Sequence, residues 1–433
     1  MSHNSSSNSS SSSSYNSSSS SYDSSYESSC ESSCESSTSS CNINLAGDII
    51  NNYNVICELG RGSYSIVWLV FCITNNNFYA LKVQNPDDFN EGMEEVDILK
   101  KIPPNVQYIN KLINYFIEIR FNKSIEEKYM CSVYNLCCGN LDGLLRKGNF
   151  NNGYNKTIVK KIFKQVCYGL NTIHTKLNGF HGDIKPDNIL LCGINNRDKH
   201  YINLYEEADY SKLYTIAKKK YILENKIKKL SQEHKMKVRK LVHTKIIENM
   251  PIVNETQYMC DNKYIENPII KISDFGFFCH DKDQYNESFG TCYYMAPEII
   301  LKGNCTTMID IWALGCMLYE LLTGKILFDP NDDMLIFSHL EMFIILCGNF
   351  DINFLKTTER YKTYFDNQGK LNNINKDKIY STNSKDTINN IYNKLKEHNI
   401  DDLLAADLLE KMLRLTPTKR HSLNKLLNHP WLV

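Results

Sequence analysis

Between His181 and Leu191 the chain reads HGDIKPDNILL, which places Asp183, Lys185 and Asn188 within one short loop. A carboxylate there can take the proton of a hydroxyl nucleophile, and an ammonium can neutralise charge on a phosphoryl group in transit. An amide oxygen such as that of Asn188 can ligate a hard metal ion. The apolar run Ile189-Leu190-Leu191 anchors the loop on a strand and keeps these groups in place. By itself the stretch is also compatible with a surface turn at a Pro-Asp-Asn breaker. Further along, the strand Ile269-Ile270-Lys271-Ile272 ends at Asp274, a carboxylate suited to a divalent cation. Near the other end, Gly60 and Gly62 form a turn between two strands, where backbone amides can approach phosphates that larger residues would keep away.

These groups need elements to hold them. From Tyr53, YNVICELGRGSYSIVWLVF reads as strand, glycine turn, strand, and FYALKVQ, which carries Lys82, as a third strand. EGMEEVDILKKI has helical spacing at Met93, Val96, Leu99 and Ile102 and stops at Pro103-Pro104. On that helix Glu95 is the acid best placed to pair with Lys82, with Glu94 the second choice; the bland alternative is two solvated charges. Further strands lead to YMCSVYNLCCGNLDGLL, where Tyr134 reads as core packing, and Thr157 to Leu177 is helical by its spacing. Asp310-Ile311-Trp312 opens a long apolar helix through Leu322, and the chain closes with HPWL.

Two stretches stand apart. Residues 1–45 are almost all serine and bury too little apolar surface to offset chain ordering, which predicts a disordered tail. Residues 193–268 interrupt the pattern, and from Lys212 to Lys245 twelve Lys or Arg face only Glu224 and Glu233. A broken stripe of Leu213, Ile216, Leu223, Ile227, Leu230, Val238 and Leu241 predicts one basic helix, either simply solvated or a docking surface for an anionic partner. On this reading the insertion stands outside the cleft and its removal is tolerated.

Composition excludes several classes. The 433 residues balance 49 Lys+Arg against 49 Asp+Glu, which points to neither nucleic acid nor a membrane surface as partner. No apolar run reaches the roughly 18 residues of a membrane span. The 16 cysteines include no paired C-x-x-C, so reduced thiols in a cytoplasmic or nuclear compartment are expected. Abundant Asn, Ile, Lys and Tyr point to an AT-rich coding genome, of a protist or a large DNA virus.

In this order and spacing, from Tyr53 to Trp431 apart from the insertion, the motifs resemble a eukaryotic-type protein kinase. The loop matches H-R-D-x-x-x-x-N with Gly182 in the arginine place, and the glycine turn matches G-x-G-x-x-G with Ser65 as its third member. Asp274-Phe275-Gly276 and Ala296-Pro297-Glu298 follow. GSYSIVWL, the arginine-free loop, an insertion at this point, DIWALGCMLYELLTGKILFDP and RYKTYFDNQGKLNNI resemble the SR-protein kinases more closely. That family usually carries D-L-G and R-S-L-E where this chain has Asp274-Phe275-Gly276 and Met295-Ala296-Pro297-Glu298.

The resemblance implies an α+β, bilobal fold: a small β-rich lobe over 53–136, a larger helical lobe over 137–433, and the spacer 193–268 within the latter. It implies ATP and Mg²⁺ in the cleft. Leu59, Gly60, Arg61, Gly62, Ser63, Tyr64, Ser65 and Val67 would cover the nucleotide, and Lys82, oriented by Glu95, would hold the α- and β-phosphates. Ala80, the gatekeeper Tyr134 and Leu190 would border the base, with Asn135, Leu136 and Cys137 lending it backbone groups. Asn188 and Asp274 would bind Mg²⁺, Asp183 would orient and deprotonate the substrate hydroxyl, and Lys185 would sit on the γ-phosphate. Thr291 in the substrate-receiving loop implies serine and threonine acceptors on a protein, Arg-Ser-rich ones by the family likeness. Gly182 implies activity without phosphorylation of Tyr285, Ser288 or Thr291, and the chain is expected to act as a monomer. A pseudokinase is disfavoured because Lys82, Asp183, Asn188 and Asp274 are all present.

Overall fold

The computed structural model describes residues 44–122, 124–147, 150–251, 262–281, 290–330, 335–372 and 386–433. Most of the expected serine tail therefore lies outside the described residues, but Leu45 is buried in the small-lobe core, ahead of Tyr53. The small lobe is a six-stranded antiparallel sheet of β1 (Ile49–Ile50), β2 (Tyr53–Arg61), β3 (Ser65–Cys72), β4 (Asn77–Gln84), β5 (Asn114–Asn122) and β6 (Ile125–Tyr134). They stand side by side as β1-β2-β3-β4-β6-β5. Alternation decides which residue faces where. Val55, Ile66, Trp68, Val70, Leu81, Val83, Cys131 and Val133 build a core on one face. The register Val67↔Lys82, Leu69↔Ala80, Phe71↔Phe78 aligns the other face, so a single surface runs from the Lys82 ammonium to an apolar end at Phe71 and Phe78. Helix α1 (Phe89–Leu99) buries Glu95, Val96 and Leu99.

In the large lobe, β7 (Cys137–Asn140) leads to helix α2 (Lys156–Thr172), whose N-terminus is capped by Asn155 accepting from the Thr157 amide. Val159, Ile162, Phe163, Val166 and Leu170 recur at the helical period, and all are buried. Strands β8 (Gly179–Phe180) and β9 (Ile189–Cys192) carry the loop of Asp183 between them. The insertion follows, its basic part built on α3 (Asn196–Glu207), α4 (Tyr210–Glu224) and α5 (Gln232–Glu248), with a short helix Asn262–Glu266 near its end. Then β10 (Ile270–Ile272) pairs with β9, β11 (Cys279–His280) pairs with β8, and α6 (Met308–Thr323) runs through the centre of the lobe. Every residue of α6 from Ile309 to Thr323 is buried, so the helix is apolar all round rather than striped. A bidentate pair from Arg420 to Glu298, at 2.6 and 2.7 Å with both side chains fully buried, ties the chain end to the Ala296-Pro297-Glu298 segment.

The insertion departs from the single solvated helix expected of it. The basic stretch is broken between α4 and α5, where Ser231 caps α5 by accepting from the His234 amide. Ile216, Leu223 and Leu241 of the expected stripe are exposed. The buried face is Val238, Val242, His243 and Ile246 instead, and with Tyr201 and Tyr205 of α3 it covers Ile56, Leu69, Phe71 and Phe78 of the sheet. Polar bonds lock the contact. Asn54 Nδ2 donates to Tyr205 Oη at 2.8 Å, Arg197 to Glu58 O at 2.8 Å, and Thr244 Oγ1 to Gly47 O at 3.1 Å. Only the outward side of the lysines behaves as a solvated basic face.

His243 makes this contact acid-sensitive. Its ring is buried and Nε2 donates to Val55 O at 2.7 Å; burial pushes its pKa down to about 4. The unfolded ring has a pKa near ~6.5, so the neutral form is what the folded state keeps. The stabilisation is complete above that value and is lost as pH falls towards 4, because only the released ring gains a proton. Thermal melting is expected to drop steeply between about pH 6 and pH 4, and less so in His243→Leu; parallel melting curves of the two chains check this.

Candidate active site

The loop of Asp183 hangs from one buried carboxylate at the start of α6. Asp310 accepts from the His181 amide at 2.8 Å, the Gly182 amide at 3.0 Å and His174 Nε2 at 2.8 Å. Burial alone would raise its pKa, but the bond from His174 and the donors around His181 reverse this, and the carboxyl is held below its ordinary range. His181 fixes the other side. Its Nδ1 accepts from the Asp183 amide at 3.3 Å, so Nε2 carries the proton it donates to Ser273 O at 3.1 Å. Ser273 in turn donates its amide to Asn188 O at 2.9 Å, which binds the Asp274 turn to the Asp183 loop.

Gly182 is demanded by this geometry rather than merely lacking an arginine. Its φ is +84°, and a Cβ would lie 2.4 Å from Phe277 O. Gly182→Ala is therefore expected to lose more than about 1 kcal/mol by chemical denaturation, with activity falling as the loop shifts. Gly182→Arg should be worse, not a gain of function.

Asp183 is buried and saturated with donors. Its Oδ1 accepts from the Thr291 amide at 2.9 Å and Thr291 Oγ1 at 2.8 Å; its Oδ2 accepts from Asn188 Nδ2 at 2.9 Å and Lys185 Nζ at 2.8 Å. Burial pushes the Lys185 ammonium towards neutrality, but the Asp183 carboxylate more than reverses this and its pKa is raised. Asn188 Nδ2 also donates to Asp183 O at 2.8 Å, which leaves Oδ1 as the atom that can face a cation.

Across the cleft Lys82 Nζ lies 2.7 Å from Glu95 Oε2 and 3.3 Å from Asp274 Oδ1. Glu95 Oε1 accepts from the Phe275 amide at 3.2 Å, so the partner is Glu95, while Glu94 is exposed. Burial would lower the Lys82 pKa, yet the two carboxylates raise it well above the ordinary value. Lys82 holds the Asp274 carboxyl below its usual range. The Asp274 side chain is 52 % exposed and its φ is +66°, a left-handed turn that aspartate tolerates better than most residues. Asn188 Oδ1 and the Asp274 carboxylate are oxygen donors of the kind a hard cation takes, and among the described residues no group of three or more His, Cys, Asp or Glu could hold a metal ion. Such a pair fits Mg²⁺ that arrives with phosphates and keeps several waters.

The nucleotide-side residues surround this centre unequally. Gly60 pairs with Val67 across β2 and β3, and the Gly62 amide closes the turn on Ser65 O at 2.9 Å. Asn85 Nδ2 donates to Ser63 O at 3.2 Å, while Tyr64 is half-exposed. Arg61 turns back to Glu58 at 2.7 Å, an exposed pair of little energetic weight. Ala80 faces the buried Tyr134 in register, and Leu190 is half-buried on β9. Leu59 and Leu136 pack against the insertion cluster, which brings that element to the edge of the cleft. The sequence reading missed Asp310, His174 and Ser273 as positioning residues. A signal for Asp310 was present: one carboxylate opening a helix too apolar for solvent must be paired.

The protein kinase domain family matches residues 53–204 and 258–432. The chain belongs to the protein kinases, as its two-lobed architecture and paired Lys82–Glu95 and Asp183–Asn188 groups would lead one to expect. It is 28% identical over 397 residues to the serine/threonine-protein kinase SRPK of Physarum polycephalum, covering 88% of this chain and 86% of that one. A chain of Acanthamoeba polyphaga mimivirus named as a serine/threonine-protein kinase is 26% identical over 482 residues, covering 88% and 87%. A crystal structure of a kinase domain superposes with a TM-score of 0.60 at 23% identity, over 89% of this chain and 97% of that one. The protein is an ATP-dependent serine/threonine protein kinase most like the SR-protein kinases. No helix among the described residues is long and apolar enough to cross a membrane.

Proposed function

We propose that Asp183 is the base of this kinase and that its acceptors are serine and threonine in Arg-Ser-rich protein segments. One observation carries the first part: Thr291 Oγ1 already rests on Asp183 Oδ1 at 2.8 Å, within reach of Lys185, as an acceptor hydroxyl must. Asp183 orients the incoming hydroxyl and takes its proton as the bond to phosphorus forms. Lys185 neutralises the transferring group, and Lys82, held by Glu95, grips the remaining phosphates. Asn188 and Asp274 would hold Mg²⁺, which spreads the phosphate charge when bound. Asp310 and His181 act through the loop by keeping it in register. The glycine turn from Gly60 to Ser65 excludes water above the phosphates.

The names of the relatives support serine and threonine as acceptors, and the chain is proposed to act as a monomer in the cytoplasm or nucleus. Tyr285 and Ser288 lie outside the described residues, while the Thr291 hydroxyl is occupied by Asp183 and Lys185. Gly182 has no side chain to pair with a phosphate on this segment, and activity independent of phosphorylation there is proposed on that ground. The test combines both points. Phosphatase-treated protein, checked by mass spectrometry, is given ATP, Mg²⁺ and either an Arg-Ser repeat peptide or a serine peptide without arginine. Transfer to the first at an undiminished rate is expected. Collapse after phosphatase, or preference for the second peptide, defeats the corresponding half of the proposal.

A further inference from the structure

Two positions beyond Leu190, and so on the same face of β9, stands Cys192. Its direct partner across the antiparallel ladder is Cys137, the last residue of the hinge. Directly opposed Cα atoms in such a ladder are about 4.5–5.5 Å apart, within the roughly 4.4–6.8 Å that a disulfide spans. The Cys137 thiol contacts Asn135 O at 4.0 Å, and both residues are partly exposed. Lys271, the ladder partner of Leu190, adds positive charge on that side. Cys138 between them is buried in the bulge with its thiol turned to Cys192 O, so it does not compete. We propose that Cys137 and Cys192 are a dithiol modification site at the cleft edge of the hinge, which a hydroperoxide converts into an intramolecular disulfide that suppresses phosphotransfer.

The chemistry balances with the peroxide as sole oxidant. The Cys192 thiolate attacks one peroxide oxygen and the O–O bond breaks. This leaves a sulfenic acid, and the departing alkoxide or hydroxide takes a proton from solvent. The Cys137 sulfur then attacks that sulfur; the S–S bond forms, the S–O bond breaks, and the oxygen leaves as water with the Cys137 proton. Two thiols have lost two electrons to one peroxide. Selectivity follows from the surroundings. The neighbouring Cys137 thiol outweighs burial, and Lys271 assists, so the Cys192 thiol is lowered to about 7, whereas burial pushes Cys57, Cys131 and Cys305 up to about 12.

A disulfide brings the sulfurs to about 2.05 Å, well inside non-bonded contact, and so locks β7 and the adjoining Leu136 covalently to β9, removing the freedom of the hinge at the cleft edge. Only this consequence rests on the phosphotransferase reading; the thiol chemistry does not. The full chain is treated with hydrogen peroxide, its free thiols are alkylated, and the digest is read by mass spectrometry alongside a phosphotransfer assay. A Cys137–Cys192 linked peptide is expected, with a severalfold loss of transfer that dithiothreitol reverses. The Cys192→Ser chain should give no linked peptide and keep its own activity under the same peroxide. Absence of the linked peptide from folded wild-type protein overturns the site. Inactivation of Cys192→Ser as fast as wild type overturns its regulatory consequence. Were transfer absent before any peroxide, the kinase reading would fail while the linked peptide still decided the site.

Discussion

Asp183→Ala is expected to lower phosphotransfer by about 10²–10⁴-fold while ATP binding survives, the loss typical of removing a general base. The separation of the two effects follows from geometry. Asp183 bonds to Thr291, Asn188 and Lys185, whereas Lys82, the lysine proposed for the phosphates, is held across the cleft by Glu95 and Asp274. Deleting the carboxylate removes the oxygen proposed to orient the acceptor and the partner of the Lys185 ammonium. It leaves the Lys82 pairs and the Gly60 turn untouched. Asp183→Asn is the sharper control, since it keeps the volume and part of the bonding but cannot take a proton. Nucleotide affinity and transfer to peptide should be measured on one preparation of each chain. Full phosphotransfer by Asp183→Ala would sink the assignment.

Replacing residues 197–264 by a short Gly-Ser bridge is expected to leave a chain that melts well below the parent and aggregates. The loop itself closes at little cost, because closure entropy changes by only about 0.6 kcal/mol per doubling of length. Packing decides the outcome instead. Ile56 and Leu69 are 0% exposed under Tyr201, Tyr205, Val242 and Ile246, and Phe71 and Phe78 lie beside them. Exposing the two aliphatic side chains alone costs about 3–6 kcal/mol at 1.5–3 kcal/mol each. That is a large share of the roughly 5–15 kcal/mol available to a folded domain. Because this face is continuous with Ala80 and Lys82, phosphotransfer should fall with stability. Melting curves and transfer rates of the deleted chain test it, and an unchanged melting temperature would restore the picture of a free-standing insertion. The contact is apolar, so added salt should not weaken it, whereas binding of any anionic partner to the outer lysines should be screened within about 10 Å at 0.1 M salt.

What the sequence determined alone were the candidate groups whose chemistry lies in their residue type and whose order is local. Asp183, Lys185 and Asn188 fall within six residues of chain, and Asp274 ends its strand, so type and spacing already carried the chemistry proposed for them. The two-lobed class was implied by the family resemblance that these motifs carry in their order and spacing. What only tertiary structure decided were the long-range partners. The choice of Glu95 over Glu94 depends on which face α1 turns to the sheet, and one residue of helix rotates a side chain by about 100°. Asp310 as the anchor of the Asp183 loop joins residues 128 and 129 positions apart, which no local pattern encodes. Gly182 read as a lost arginine until the backbone of Phe277 showed why no side chain fits. The insertion was the plainest case. Its lysines dominate its composition, but charge stays in water wherever the helix lies, and it was four spaced residues of α5, Val238, Val242, His243 and Ile246, that determined where it packs.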